Sequence, residues 1–395
     1  MSTIRLKSGR EKPINNRHPW IFSGAIAGAE GGPASGDIVE VRDSNGHFLA
    51  QGYYNPQSQI AVRLLTWDQE TVIGADFWRR RLQAAVARRR ALVRSPESTA
   101  CRLVYAEGDG LPGLIVDQYE TWLVFQSLTT GIERRKSLLV ELLDDLLSPA
   151  GIYERSDADV RGHEGLEPIT GLRSGEMPPQ DLVIQENGLR FHVDLVEGHK
   201  TGFYLDQREN RCRVAPYCAG KDVLNAFSYT GAFAAYAADR GAEHITNMDT
   251  SAEALQGARE NMALNGFSRE NDEYIRGDAF EELRTLRDSA RSFDVVILDP
   301  PKFAFSRSHL HSATRGYKDI NMLAMRLLRP GGILCTFSCS GLVEEELFQK
   351  VLFGASVDVD RQVRIVERLS QSGDHPVLLT FPESAYLKGF ICLVE

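Results

Sequence analysis

The sequence predicts an α/β protein: a doubly wound, mostly parallel sheet fills its C-terminal half, behind a small N-terminal β-barrel and a central α+β region. Three observations carry this expectation. From about residue 186 onward, short apolar runs alternate with helical stretches, the pattern of parallel strands joined by crossover helices. Residues 1–72 instead alternate polar and apolar positions around Ser44-Asn45-Gly46, a hairpin turn signal. A Gly/Pro-rich stretch, Gly171 to Pro179, separates the two patterns. The expected division is 1–72, 73–185 and 186–395, since 395 residues exceed what one core usually supports.

The elements follow in order. Gly36 to Asp43 reads as a strand that turns at Ser44-Asn45-Gly46 and pairs back through Phe48 to Tyr54. A helix from Asp76 to Val93 carries Arg79-Arg80-Arg81 and Arg88-Arg89-Arg90. Strands Arg102–Tyr105, Leu114–Asp117 and Thr121–Ser127 and a helix Ile132–Leu147 make the central region. After a hairpin at Glu186-Asn187-Gly188 come apolar strands Asp222–Ala226, His244–Met248, Tyr274–Arg276, Phe293–Leu298 and Gly332–Phe337. Between them fall helices Ala232–Ala238, Ser251–Leu264, Phe280–Ala290 and Tyr317–Leu328. Thr250 with Glu253 three residues later reads as a capping box for the second helix.

Hydrophobic content of 43% and charged content of 25% are those of an ordinary globular chain, and no apolar run reaches the length of a membrane span. The first residues carry no apolar signal core, so a cytoplasmic protein is expected. Six cysteines without paired spacing read as reduced thiols, and scattered histidines argue against a metal. The net charge is −9, yet residues 1–100 hold 14 Lys+Arg against 9 Asp+Glu, so the basic quarter comes first. The arginine-rich helix is either a phosphate-facing surface or a solvated face.

In open α/β sheets ligands bind beyond the carboxyl ends of the strands, and these ends form a pattern here. Phe227-Ser228-Tyr229-Thr230-Gly231 follows the first strand; Gly231 is expected to admit a ligand close to the backbone. Asp249 ends the second, where an acid can accept hydrogen bonds from a ribose diol. Gly277-Asp278-Ala279, Asp299-Pro300-Pro301-Lys302-Phe303 and Ser338-Cys339-Ser340 end the next three. A dinucleotide-binding dehydrogenase would need G-x-G-x-x-G where this turn has one glycine, so an adenosine ligand without a pyrophosphate fits better. Two prolines stiffen the chain after Asp299 and aim its carboxylate at a planar partner such as a base. The helix read from Leu342 to Glu346 would place its N-terminus near Cys339 and favour a thiolate, whereas Cys335, inside the strand, reads as an inert core residue.

Gly202 to Arg208, Asn225 to Gly231, Asp299 to Phe303, Ser338-Cys339-Ser340 and Pro382 to Phe390 together resemble the ribosomal large-subunit RNA cytosine-5 methyltransferase family. The resemblance runs end to end. It implies a PUA-type RNA-binding barrel, a central α+β domain and a class I methyltransferase domain with a Rossmann-like, mostly parallel seven-stranded sheet. S-adenosyl-L-methionine is the implied cofactor, held by Phe227, Ser228, Tyr229, Thr230 and Gly231 at its methionine end, Asp249 at the ribose and Asp278 and Ala279 at the adenine, with Asp299 closing the set. The implied substrate is an unpaired or flipped cytidine in naked or partly assembled ribosomal RNA; no membrane is involved, and a homodimer is left open. Pro300, Pro301, Lys302, Phe303 and Arg208 are the substrate contacts carried over, and Arg208 reads equally as a structural ion-pair partner.

Carbon 5 of cytosine is a poor nucleophile, so the family adds a cysteine thiolate at carbon 6, and Cys339 is the matching position. Asp299 would hold the N3 and N4 edge. Many cytosine-5 enzymes carry a cysteine in the Asp-Pro-Pro region; here Pro301 stands there, so one cysteine must both add and leave. For the group that removes the carbon-5 proton, Asp374, His375 and Glu383 are candidates. Lys200, Thr201, Gly202, Tyr204 and Asp206 to Arg208 are expected to fold over cofactor or substrate, and Ser306 to Arg315, without apolar periodicity, reads as a loop that orders on RNA or as an ordinary surface loop. Two other readings stay open: a guanine ring-nitrogen methyltransferase on the same fold, and a non-catalytic RNA-binding assembly factor.

Overall fold

The computed structural model describes residues 2–92 and 97–395, so Val93, the expected end of the arginine-rich helix, lies outside the described residues. The chain divides into two compact units: residues 1–184, 193–205 and 373–384 form one, and 185–192, 206–372 and 385–395 the other.

The first unit opens with a six-stranded sheet built from β1 (Ser2–Leu6), β2 (Trp20–Phe22), β3 (Ile26–Glu30), β4 (Ile38–Arg42), β5 (Phe48–Tyr54) and β6 (Ile60–Thr66), with the short helix α1 (Lys12–Asn15). Its order is β2-β6-β5-β4-β1-β3, and β1 runs parallel to β4. Alternation along the strands buries Ile4, Leu6, Val39, Val41, Val62 and Leu64 in one core. The expected hairpin forms as read: Asp43 accepts the amides of Asn45 and His47, and Gly46 supplies the left-handed position.

A second sheet, ordered β11-β10-β9-β8-β7, uses β7 (Ala100–Tyr105), β8 (Leu114–Tyr119), β9 (Trp122–Ser127), β10 (Gly151–Ser156) and β11 (Ile169–Gly175). Helices α2 (Ala75–Leu92), α3 (Thr130–Glu133) and α4 (Lys136–Leu147) accompany it; Trp78, Leu82, Leu139 and Leu143 pack against Val104, Val116, Phe125 and Ile152. The single helix expected over 132–147 is broken at Arg134 and Arg135. Arg134 donates to Ser35 O and Asp37, and Arg135 to Gly36 O and Gly131 O, so both side chains clasp the turn ahead of β4. β11 overlaps the stretch that reads as a Gly/Pro-rich separator. Its glycine serves a close crossing instead: a Cβ on Gly175 would lie 2.2 Å from Ala150 O.

The arginines of α2 are largely spent inside this unit. Arg89 is buried with Nη1 3.1 Å from Asp109, Arg88 pairs with the same carboxylate, Arg81 donates to Leu65 O, and Arg79 reaches Asp145. Arg80 and Arg90 are exposed. Four of the six arginines thus have partners within this unit.

β12 (Val183–Glu186) and β13 (Leu189–His192) form the expected hairpin, with Asn187 and Gly188 at positive φ. The second unit then holds β14 (Asp222–Ala226), β15 (His244–Asp249), β16 (Glu273–Arg276), β17 (Phe293–Leu298), β18 (Leu328–Ser338), β19 (Val363–Ser370) and β20 (Lys388–Val394) in the order β16-β15-β14-β17-β18-β20-β19. The first five are parallel; β20 runs antiparallel between β18 and β19. The helices are α5 (Arg208–Val214), α6 (Ala232–Asp239), α7 (Ala252–Leu264), α8 (Ala279–Asp288), α9 (Leu310–Leu327) and α10 (Glu345–Asp358).

Three local readings are corrected in this unit. The N-cap of α7 is Ser251, whose Oγ accepts from Ala254 N, and not Thr250. α9 begins at Leu310, so six of the ten residues of the expected 306–315 loop are helix, with Ala313 and Tyr317 turned into the core. α10 begins only at Glu345, after a turn closed by Val343 N to Ser340 O. A buried ion pair anchors the base of the unit: Arg211 Nε and Nη2 each lie 2.7 Å from an oxygen of Glu186, which also accepts from Tyr236 Oη. Among the described residues, no helix is long and apolar enough to cross a membrane.

Candidate active site

The strand order reverses at β14, which pairs with β15 on one side and β17 on the other. Such a switch point opens a crevice at the carboxyl ends, and the strand-end motifs gather there. The turn after β14 is unusual in its backbone. Phe227 (φ 59) and Tyr229 (φ 46) are both left-handed without being glycine, a conformation that persists where surroundings over-determine it. The surroundings are visible: Ser228 N donates to Met248 O, and Tyr229 N to Asp249 Oδ2 at 2.8 Å, while the other oxygen of Asp249 accepts Ser251 N at 3.0 Å. Asp249 is thus a brace for two loops, and its carboxylate keeps lone pairs for a further donor.

Gly231 meets a packing demand. Its φ is 73, and a Cβ there would lie 2.8 Å from the Ala258 Cβ, so the missing side chain lets α6 start against α7. Gly231→Ala combines left-handed strain with overpacking and is expected to destabilise the second unit by about 1–3 kcal/mol, read as a lowered denaturation midpoint.

Ser228 Oγ and Thr230 Oγ1 are buried hydroxyls without a hydrogen-bond partner among the described residues. Buried polar groups are rarely left so, and two on one strained turn fit a loop shaped to bind a polar ligand. Asp278 is exposed and caps α8 by accepting Phe280 N at 2.8 Å. Ala279 is the buried first residue of that helix.

On the other side of the crevice, Gln207 Nε2 donates to Asp299 Oδ1 at 2.9 Å, and Gln207 is held in turn by Asn210 Nδ2 at 2.6 Å. Both amides are buried, so the carboxylate is fixed from behind. Pro300 is buried, whereas Pro301 and Lys302 are exposed. Phe303 turns inward onto Tyr317, with ring centroids 4.6 Å apart. That makes it a wall and not an exposed stacking face. Asp206 and Tyr386, from two of the sequence motifs, meet directly at 2.5 Å.

Cys339 stands one residue beyond β18. Alternation buries Ser338 and Ser340 and leaves Cys339 half-buried, its Sγ 3.9 Å from Pro300 O. The two serines are tied to one phenol: Ser338 Oγ donates to Tyr317 Oη at 3.0 Å, and Tyr317 Oη and Ser340 Oγ are 3.2 Å apart. Burial pushes the Tyr317 phenol up, so it keeps its proton. Cys335 is fully buried and its thiol is held well above the ordinary range by burial, as the inert reading requires. The late start of α10 removes the helix terminus expected beside Cys339.

Other sequence candidates have partners of their own. Asp374 and His375 are buried in the first unit, 2.9 Å from each other, with Asp374 accepting Arg102 N, and Glu383 lies 3.3 Å from His18. Thr201 donates to Asp117 at 2.6 Å, and Lys200 lies over the Tyr204 ring, all within the first unit. Arg208 is buried at the start of α5 with Glu209 3.7 Å away. Two residues that sequence reasoning missed do belong here. Tyr317 reads as an ordinary core aromatic, and Lys388 lies within a quoted motif but shows no chemistry until its surroundings are seen.

Comparison with known proteins agrees with this geometry. Residues 4–67 match the PUA-like domain model, and residues 168–386 match the S-adenosylmethionine-dependent methyltransferase model. The chain is 52% identical over 392 residues to ribosomal RNA large subunit methyltransferase I of Shewanella denitrificans, covering 99% of each, and 50% identical to that of Photobacterium profundum, covering 100% of each. Among solved structures, a protein from Streptococcus mutans assigned as a SAM-dependent methyltransferase superposes with TM-score 0.86, and SMU.776 complexed with SAH with TM-score 0.87; each is 22% identical and covered end to end. These matches and the seven-stranded order agree: this chain belongs to the S-adenosylmethionine-dependent methyltransferase family, as a homologue of ribosomal RNA large subunit methyltransferase I with a PUA-like N-terminal domain.

Proposed function

We propose that this chain methylates carbon 5 of a cytosine in large-subunit ribosomal RNA through a covalent adduct on Cys339. The observation that carries the reading is the 3.9 Å approach of Cys339 Sγ to Pro300 O, which sets a half-buried thiol beside the Asp-Pro-Pro turn. The RNA substrate follows from the roughly 50% identical relatives and the PUA-like domain. S-adenosylmethionine, when bound, supplies an electrophilic methyl group. Ser228 and Thr230 would hold it by their unsatisfied hydroxyls and Asp249 by its remaining lone pairs, with Phe227, Tyr229, Asp278 and Ala279 completing the pocket.

Asp299, immobilised by Gln207, accepts the N4–H edge of a cytosine, and Pro300 to Lys302 bound that site. Cys339 Sγ bonds to carbon 6, and the displaced π electrons make carbon 5 a nucleophile toward the methyl group. When a base, such as a solvent water, takes the carbon-5 proton, the freed electron pair re-forms the C5–C6 double bond, the C–S bond breaks and sulfur leaves as the thiolate. The base must be unpaired or flipped to enter.

Incubation with a 5-fluorocytidine-substituted RNA tests this, because fluorine at carbon 5 blocks the elimination. A complex that survives denaturation, mapped to Cys339, is expected. Methylation of ordinary RNA with no such complex would instead favour a guanine ring nitrogen, where no adduct forms.

A further inference from the structure

Lys388 is a buried cation beside the proposed nucleophile. Lysine is almost never fully buried unless paired, yet here it is 7% exposed. Ladder register sets it: on β20, Lys388 pairs with Ser338, the residue before Cys339. Its Nζ donates to Ser340 O at 2.7 Å and Val343 O at 2.8 Å, two carbonyls of the turn that leaves Cys339. Burial brings its pKa down to about 8, while Cys339, Glu344 and Glu345 pull it back up. From β19, Arg368 is turned to Glu345. The attraction between Lys388 and Cys339 is mutual, so it favours the ionised sulfur as well.

We propose that Lys388 is the positioning residue of Cys339: its ammonium fixes the Ser340–Val343 turn and supplies the counter-charge for the thiolate in place of a helix N-terminus. The proposal rests on the reading of Cys339 as nucleophile. On ionisation the thiol proton leaves to water and Lys388 keeps its own. Two bonds to backbone carbonyls set the loop that aims the sulfur, and the same nitrogen carries the charge.

The test is iodoacetamide labelling of the full chain across pH 6–10, read by peptide mass for each cysteine. Free N-acetylcysteine in the same mixture is the reference, because burial and the Glu186 charge push the Cys212 thiol up, and buried Cys335 and Cys392 report unfolding. In the native chain Cys339 is expected to label with a midpoint below that of the free thiol. Lys388→Met should raise the Cys339 midpoint by about one pH unit, an approximately tenfold loss of labelling near neutrality, with Cys212 unmoved. Lys388→Arg, which keeps the charge, should stay near the native profile. A native Cys339 midpoint at or above that of the free thiol overturns the proposal, as does an unmoved midpoint in folded Lys388→Met. If labelling of Cys335 shows that variant unfolded, the comparison of Cys339 with the free thiol in the native chain decides alone. Alkylation needs neither RNA nor methyl donor. A missing 5-fluorocytidine adduct beside a normal labelling profile therefore counts against the reaction and not against Lys388.

Discussion

Cys339→Ala is expected to remove methyl transfer to RNA, by at least about 10⁴-fold, while leaving affinity for S-adenosylmethionine unchanged. The size follows from the proposed chemistry, in which carbon 5 of the cytosine becomes a nucleophile only after sulfur adds at carbon 6. The split between rate and affinity follows from position. Cys339 belongs to the β18 end, next to Pro300, whereas the orphaned hydroxyls assigned to the donor follow β14. Single-turnover transfer of a labelled methyl group measures the first quantity and calorimetry the second. A variant that still methylates at a comparable rate would overturn the assignment of Cys339. One that loses donor binding would show that the residue shapes the whole crevice.

The largest stability effect is expected at Arg211. Its guanidinium and the Glu186 carboxylate are each 2% exposed and joined by two 2.7 Å bonds. Arg211→Met leaves a buried carboxylate without its counter-charge, which should cost about 3–5 kcal/mol. Tyr236 cannot compensate. Burial first, and the Glu186 charge second, push its phenol well up, so it donates one hydrogen bond and carries no charge. Adding Glu186→Gln to Arg211→Met should restore most of the loss, because a neutral amide costs far less to bury than an unpaired charge. Denaturant titration with a probe in the second unit reads both. Equal stability for the single and double variants would show that the pair is not the source of the effect.

The parallel strands were legible because nothing but a buried strand explains runs such as Val295 to Leu298; β14 and β17 fall on their expected residues. What stayed hidden depended on partners far away in sequence. β11 looks like a separator because its glycines suit loops as well as close crossings. The start of α9 looks irregular because His311 and Arg315 mask the buried frame of Ala313 and Tyr317. The apolar pair Leu342-Val343 reads as a helix start, but Lys388, 45 residues beyond Val343, takes the carbonyls there and holds a turn. At the crevice, sequence finds Asp249 and Asp299 as acids at strand ends. It does not reveal that one braces two amides and the other is gripped by Gln207.

The antiparallel insertion of β20 has a consequence for the Cys339 turn. β18 meets its outer neighbour only through residues 388–394, although the polypeptide has already passed through α10 and β19. On the proposal above, the ammonium of Lys388 reaches the Ser340–Val343 turn only where β20 pairs with β18, so the geometry around Cys339 depends on a strand far from it in sequence.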